Sequence, residues 1–255
     1  MENKTYDYSG YAFRPVSRKK LSVKTIIAII IAVVIIFIMI FYYAQFPREL
    51  SINEKIYYAV EVFSSSSIES AELYASGIKG ANGAGTIVFD KKYRVIAAIY
   101  HKQKDAESVI NKLKTNHITA SLYIWQFPFV SLSLNINYAT MNILKQATEK
   151  SLKLLDDMLN MALSFDKKEV DKNSIISAIE EKTIETENIA KLLSPIRHNT
   201  AKIMANSYND IYDSLTNLSL DINSGTLKNT YGEIAVIIYD MLNDINLSVE
   251  DYEEI

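Results

Sequence analysis

The chain has 255 residues, enough for one or two domains, and it is 49 % apolar with a mean hydropathy of only +0.02. One strongly apolar stretch is therefore balanced by a polar remainder. The absence of cysteine excludes disulfides, thiolate metal sites and cysteine nucleophiles, and three histidines leave little material for a metal centre. No segment has the concentrated positive charge of a nucleic-acid interface, so we expect no nucleic-acid partner, no metal and no cofactor.

An uncharged apolar run at 25–44 follows a basic segment, 1–24, that carries six basic and two acidic side chains. Twenty helical residues extend about 30 Å, which matches the hydrocarbon core of a bilayer. The alternatives are a buried core helix and a cleaved signal peptide, but the run is long and lacks a small-x-small cleavage pattern. We therefore predict a single transmembrane helix with the lipid bilayer as its partner, the basic tail in the cytoplasm and all later domains outside it.

Residues 50–126 show two alternating kinds of hydrophobic pattern, which predict a small domain of strands and helices. The strand patterns lie at 57–63, 86–89, 93–100 and 120–125, and the helical patterns lie at 68–79 and 103–116. The order β-α-β-β-α-β predicts a split βαβ fold with two helices on one face of a four-stranded sheet. The glycines at 80–85 lead from a helix into a strand, so we interpret them as a helix stop rather than a phosphate loop.

Several short motifs of this domain occur in the order and spacing of a known family. They are Tyr57–Val62, Ser70–Glu72, Gly83–Val88, Tyr93–Val95 and the stretch from Lys104 to Lys114. Residues 56–125 thus resemble the SPOR (sporulation-related repeat) domain. The resemblance implies a membrane-anchored bacterial envelope protein. Its sheet would bind peptidoglycan through the open face, notably glycan strands stripped of stem peptides at division septa.

The face of the sheet opposite its helices is the surface on which the resemblance places the ligand. Period-two geometry puts Glu61 and Arg94 on this face, with Tyr123 and Trp125 beside them on the last strand. Aromatic rings can stack on sugars, and a carboxylate and a guanidinium can bond hydroxyl and acetamido groups, so these four residues are the candidate glycan-binding site. The alternative is that another part of the chain covers the face, because an apolar patch is unfavourable in water.

The remainder is predicted to be a connecting strand at 127–137 and a helical domain at 138–255. Apolar residues alternate strictly from Val130 to Tyr138, as in a half-buried strand. Four later segments repeat apolar residues at steps of three and four, and their short connections favour an antiparallel four-helix bundle. The predicted fold class is therefore α+β: a transmembrane helix, a SPOR-like domain, a strand and a bundle.

No motif of the bundle indicates catalysis. Its acidic pairs, Asp156–Asp157 and Glu180–Glu181, lie on polar faces, and the Glu-x-x-His motifs of a di-metal bundle are missing from the sequence. We therefore predict no catalytic residue and no enzymatic activity. Two functions stay open. The first is a division or sporulation protein that binds peptidoglycan or other membrane proteins of that machinery. The second is an interaction scaffold that binds no glycan and acts through its bundle.

Overall fold

The computed structural model describes residues 23–44 and 48–253, which form an α+β structure with seven helices and six strands in two small sheets. The helices are α1 (Val23–Ala44), α2 (Ile68–Gly80), α3 (Gln103–Thr115), α4 (Tyr138–Asp166), α5 (Lys172–Leu193), α6 (Asn199–Leu220) and α7 (Ser224–Glu253). The strands are β1 (Arg48–Ile52), β2 (Lys55–Ser65), β3 (Thr86–Asp90), β4 (Lys92–Tyr100), β5 (Ser121–Phe127) and β6 (Val130–Leu134).

The prediction of a transmembrane helix at 25–44 is wrong. Among the residues that the structure describes, no helix is both long and apolar enough to cross a membrane. The predicted single-pass location, with extracytoplasmic domains, is wrong for the same reason. Contact with a lipid bilayer stays a prediction. Residues 1–22 of the predicted cytoplasmic tail lie outside the described residues.

The small domain has the order of strands and helices that its hydrophobic patterns predict. Its four strands form one antiparallel sheet in the order β3-β4-β2-β5, so β3 and β5 are the two edges. Helix α2 begins where the Ser67 hydroxyl accepts a hydrogen bond from the backbone N–H of Ser70 at 3.2 Å. Helices α2 and α3 pack on one face of the sheet, where the alanines Ala71 and Ala106 allow a close approach to Val60. This part of the fold is therefore a helix layer on a sheet layer.

A single bent ribbon of two strands connects the two sheets. Strand β1 pairs with β6, and β2 pairs with β5, in one continuous register. Arg48 lies opposite Leu134 at one end and Glu61 lies opposite Ser121 at the other, so the paired residue numbers add to 182 throughout. The ladder breaks beside Pro128, which has no N–H to donate. The strand predicted at 127–137 is thus the continuation of β5, bent away from the main sheet.

The last four helices form a bundle in which each helix contacts two neighbours. Helix α5 packs on α4 and α6, and α7 packs on α6 and α4. Asn137 caps α4 and Asp171 caps α5, each accepting a bond from a backbone N–H three residues later. The seam contains the residues that the heptad spacing predicts, including Ile179, Ile211 and Ile238, all fully buried. Thr148 is a polar member of the seam, and its hydroxyl donates to the backbone carbonyl of Leu144 in the same helix at 2.9 Å.

The sheet and the bundle share one hydrophobic core. The described residues from 48 onward form one compact unit, and its largest buried cluster contains residues of β2, β5 and all four bundle helices. At one side of this interface Asp156 of α4 binds both Lys55 and the Tyr57 hydroxyl, which donates at 2.9 Å. Burial and the Asp156 carboxylate raise the pKa of Tyr57. The bundle therefore packs on the face of the sheet that α2 and α3 leave free.

Candidate binding groove

Three of the four predicted glycan-binding residues form a cluster with each other. Nη1 of Arg94 donates to Oε2 of Glu61 at 2.6 Å, and its Nη2 donates to Oδ2 of Asp90 at 3.5 Å. The guanidinium lies 4.7 Å from the ring centre of Tyr123, whose hydroxyl donates to the same Asp90 oxygen at 3.5 Å. Asp90, which is not among the four predicted residues, lies four residues before Arg94 on the neighbouring strand.

The charged groups of this cluster, Arg94, Glu61 and Asp90, are paired with one another. Burial alone would lower the pKa of Arg94, but the hydrogen bond and charge of Glu61, together with Asp90, raise it. Burial and the Asp90 carboxylate raise the pKa of Tyr123 to about 12. At neutral pH the arginine is therefore charged and the tyrosine is neutral. Both Nη atoms of Arg94 are bonded within the cluster, although its Nε has no hydrogen-bond partner among the described residues. A sugar would have to displace the Glu61–Arg94 pair, and separating that pair would leave a buried charge without a partner.

Trp125, the fourth predicted residue, lies in the hydrophobic core. The residue is only 1 % exposed, and its ring packs 5.3 Å from the ring of Phe127 and 5.7 Å from the ring of Tyr239 in α7. Tyr239 also packs edge-on against Phe127 at 5.5 Å. Helix α7 thus occupies the position where the resemblance places a glycan strand. The four residues face the same layer, as period-two geometry predicts, but that layer is closed by the bundle.

A bulge in β2 limits how far period-two geometry holds. The register of β2 against β4 shifts on both sides of Glu61. As a result Phe63, which strict alternation places on the Glu61 face, instead packs with the helix layer. Its ring stacks on Tyr74 of α2 at 4.6 Å with the planes 8° apart. An extra residue in one strand of a pair turns the following side chains to the other face.

The contact between α7 and β3 depends on a glycine. A Cβ added to Gly232 of α7 would lie 1.8 Å from Oγ1 of Thr86, so only glycine permits this separation. At the preceding residue, the Tyr231 hydroxyl accepts a hydrogen bond from the backbone N–H of Ile99 at 3.1 Å. The Thr86 hydroxyl itself has no hydrogen-bond partner within the described chain. Helix α7 is therefore held against the sheet by a close backbone approach and one buried hydrogen bond.

We expect Gly232→Ala to destabilise the protein by about 1–2 kcal/mol, because overpacking outweighs the helix propensity that alanine adds. Thr86→Ala removes the nearest atom and leaves a tolerable contact of 3.1 Å to the Thr86 Cβ, so the double variant should recover most of the loss. Urea denaturation of the four proteins measures both effects. Gly77→Ala is the matched control, because no atom lies within 4 Å of its added Cβ. An equal gain in stability from Gly232→Ala and Gly77→Ala would contradict the close approach.

The outer edge of β3 borders two cavities that join into one groove. The first, about 650 Å³, lies between α2 and α7, and the second, about 420 Å³, continues past the aromatic end of β3. Ile87 and Val236 line both cavities, so the two are continuous along the strand. We call this surface the β3 groove: its floor is Gly85–Phe89, and its walls are α2 and the segment 229–243 of α7.

The acidic residues of the bundle form ion pairs on its surface. Asp157 lies 2.8 Å from the Lys182 ammonium, and Glu185 lies 2.6 Å from that of Lys150. The lysine hydrogen bonds and charges lower the pKa of Asp157 against the opposing effect of burial, and the bond from Lys150 lowers that of Glu185. Both carboxylates therefore stabilise the α4–α5 contact. In the part of the chain that the structure describes, no three histidine or acidic side chains are grouped as metal ligands.

The sequence contains one indication that α7 would cover the sheet. Residues 234–239 read Ile-Ala-Val-Ile-Ile-Tyr, an apolar run that leaves no polar face for almost two helical turns. A helix that is apolar on all sides is buried on all sides. The isolated Gly232 just before this run is a second indication, since a glycine inside a helical pattern often marks a close approach. The heptad spacing of α7 predicts only its contacts within the bundle, whereas these two features indicate its contact with the sheet.

Comparisons with known proteins add no relative to this picture. No protein-family model, no curated protein and no solved structure matches the chain. The SPOR resemblance, which depends on short motifs in residues 56–125, therefore stays a prediction.

Proposed function

We propose that this protein is a non-enzymatic interaction protein that recognises partner proteins with the surface formed jointly by its sheet and its bundle. One observation carries the proposal: the sheet face with Trp125 is part of the molecular interior, covered by α7. The face that a SPOR-like domain would use to bind glycan is therefore buried against the bundle. Recognition is left to the surfaces that stay open, which are the sheet edges and the outer faces of the helices.

The distribution of exposed apolar side chains supports the same reading. Large apolar residues remain in water at Phe89 and Ile124, on the two edge strands of the sheet, and at Ile184 and Leu192 of α5. Such residues indicate a protein contact where they cluster into a patch, and Phe89 does so with Tyr93 and Ile68, which line the same cavity. The ion-paired carboxylates of the bundle, by contrast, stabilise contacts between helices.

Glycan recognition is the second candidate, and one observation favours it. Arg94, Asp90 and Tyr123 keep part of their side chains accessible at the margin of the covered face. A sugar could approach this margin without displacing α7. Its affinity should be low, because a shallow site removes little area from water.

Sedimentation with purified peptidoglycan separates the two candidates. A fragment of residues 47–255, which contains both hydrophobic clusters, should remain in the supernatant. The same fragment carrying a photo-crosslinking residue in place of Phe89 or Leu192 should form discrete adducts with protein in cell extract. A crosslinker in place of the solvent-facing Lys112 is the control. Co-sedimentation of the parent fragment that Arg94→Ala abolishes, while the variant keeps the circular dichroism spectrum of the folded parent, would reject the interaction proposal in favour of glycan binding.

A further inference from the structure

Strand β3 has an open edge beside a ready-made groove. It pairs with β4 on one side, and within the described chain no backbone hydrogen bond from any other element reaches Thr86–Asp90. An edge strand presents a row of free N–H and C=O groups that can template another strand. Natural proteins usually blunt such an edge with charged residues or proline. Of the five residues of β3, the first four are Thr86, Ile87, Val88 and Phe89, none of them charged.

Part of the β3 edge is accessible along the groove: Ile87 is half-buried and Phe89 is 61 % exposed, whereas Thr86 and Val88 are buried. Helix α2 lies on one face of the sheet and α7 on the other, and the two approach each other where Lys79 lies 3.6 Å from Glu233. From this contact the groove follows β3 towards Phe89. The floor of five residues corresponds to roughly 17 Å of extended chain. An extended segment of about five to seven residues therefore fits its length.

The two ends of the groove differ in chemistry. The end at Thr86 is polar and contains the carboxylates of Glu72 and Glu233 with the single ammonium of Lys79. Thr86 itself is 5 % exposed, and its hydroxyl is buried against Gly232 of α7. This end therefore favours a ligand that carries positive charge.

The end at Phe89 is aromatic and acidic. Phe89 is 61 % exposed, and its ring lies 4.9 Å from that of Tyr93. Asp240 of α7 lies at the rim of this end, and partial burial and the Asp244 carboxylate raise its pKa. The lining of the groove thus contains three carboxylates, Glu72, Glu233 and Asp240, and one lysine, Lys79. An apolar side chain with a basic neighbour complements this end.

We propose that the β3 groove binds an extended peptide of a partner protein, which adds to the sheet as a fifth strand beside β3. The peptide carries a basic residue at the Thr86 end and an aromatic residue at the Phe89 end. Main-chain hydrogen bonds to β3 provide affinity, and the side-chain chemistry of the two ends provides specificity. This inference deepens the proposed interaction function and rests on it.

Nuclear magnetic resonance of ¹⁵N-labelled residues 47–255 tests the proposal with a synthetic probe. The probe is an acetylated and amidated peptide, Lys-Thr-Val-Thr-Val-Thr-Phe, and the reversed sequence tests the opposite strand direction. We expect one of the two to shift the β3 amide signals and to slow their hydrogen exchange at least tenfold. The amides of β5, the other edge, should not respond. A version of the bound peptide with N-methyl groups on alternate residues should lose binding, because it cannot complete the ladder.

Two substitutions at similarly exposed residues distinguish binding in the groove from nonspecific hydrophobic binding. Phe89→Ala should weaken binding about fivefold or more, as truncation of an interface anchor commonly does. Ile124→Ala on the opposite edge, where the residue is 54 % exposed, should leave binding unchanged. If neither peptide affects β3, or if the N-methylated peptide binds equally well, the groove proposal is overturned. That result leaves the interaction function intact, because co-sedimentation with peptidoglycan decides that function independently.

Discussion

Trp125→Ala should destabilise the protein by about 3–5 kcal/mol, the usual loss when a large buried aromatic residue is truncated. Trp125 is 1 % exposed and contacts both Phe127 and Tyr239, so the cavity would open between the sheet and α7. Urea denaturation of residues 47–255, followed by far-ultraviolet circular dichroism, measures the loss. The free energy of unfolding should fall, and the sheet and the bundle should unfold together because they share one core.

Two substitutions provide the comparison for Trp125→Ala. Trp125→Phe keeps an aromatic ring and should cost clearly less, because the indole N–H has no hydrogen-bond partner to lose. Ile124→Ala, at the adjacent exposed position, should change stability by no more than about 0.5 kcal/mol. If Trp125→Ala left the free energy of unfolding unchanged and abolished only binding to peptidoglycan, this face would be open in solution, contrary to the structure.

Ile238→Asp should destabilise the bundle by more than about 4 kcal/mol and leave the fragment largely unfolded. Ile238 of α7 is fully buried among apolar side chains, and an aspartate there would either carry an unpaired charge or have to be protonated. The helical circular dichroism of the purified variant should be small at 25 °C. Because protonation removes the charge, part of the helical signal should return when the pH falls from 7 to 4.

Ile184→Asp is the matched control for this substitution. It places the same side chain on α5, at a residue that is 60 % exposed, and should change the free energy of unfolding by less than about 0.5 kcal/mol. Two-state unfolding of the Ile238→Asp protein close to that of the parent would show that α7 does not form the bundle seam.

The hydrophobic patterns predicted the elements well because each pattern is local. Alternation from Val130 to Leu134 and heptad steps around Ile211 and Ile238 correspond to one buried face each, and those faces are buried. The layer order of the sheet followed from the same rule. The apolar run 25–44, however, does not yield a membrane-crossing helix within the described residues, although its length and lack of charge predicted one.

The candidate site was harder to predict because it depends on distant contacts. Glu61, Arg94 and Tyr123 were correctly placed on one face, but their mutual pairing depends on strand register and on the bulge at Glu61. The covering of Trp125 depends on a helix more than a hundred positions further along the chain. Local periodicity predicts which face of an element is buried but not which other element covers it. The β3 groove forms where α7 packs beside β3 and α2, so it could not be predicted from periodicity.

The cover that α7 provides also sets an order of events during synthesis. Trp125 leaves the ribosome 114 positions before Tyr239, its ring partner in α7. Because synthesis proceeds at roughly 5–20 residues per second, the apolar face of the sheet stays uncovered by α7 for roughly 6–23 s. During that interval the nascent chain presents a tryptophan, a phenylalanine and two open strand edges to its surroundings. We expect this chain to depend on chaperone binding between the completion of β6 and the emergence of α7, a requirement created by the order of its segments rather than by their final stability.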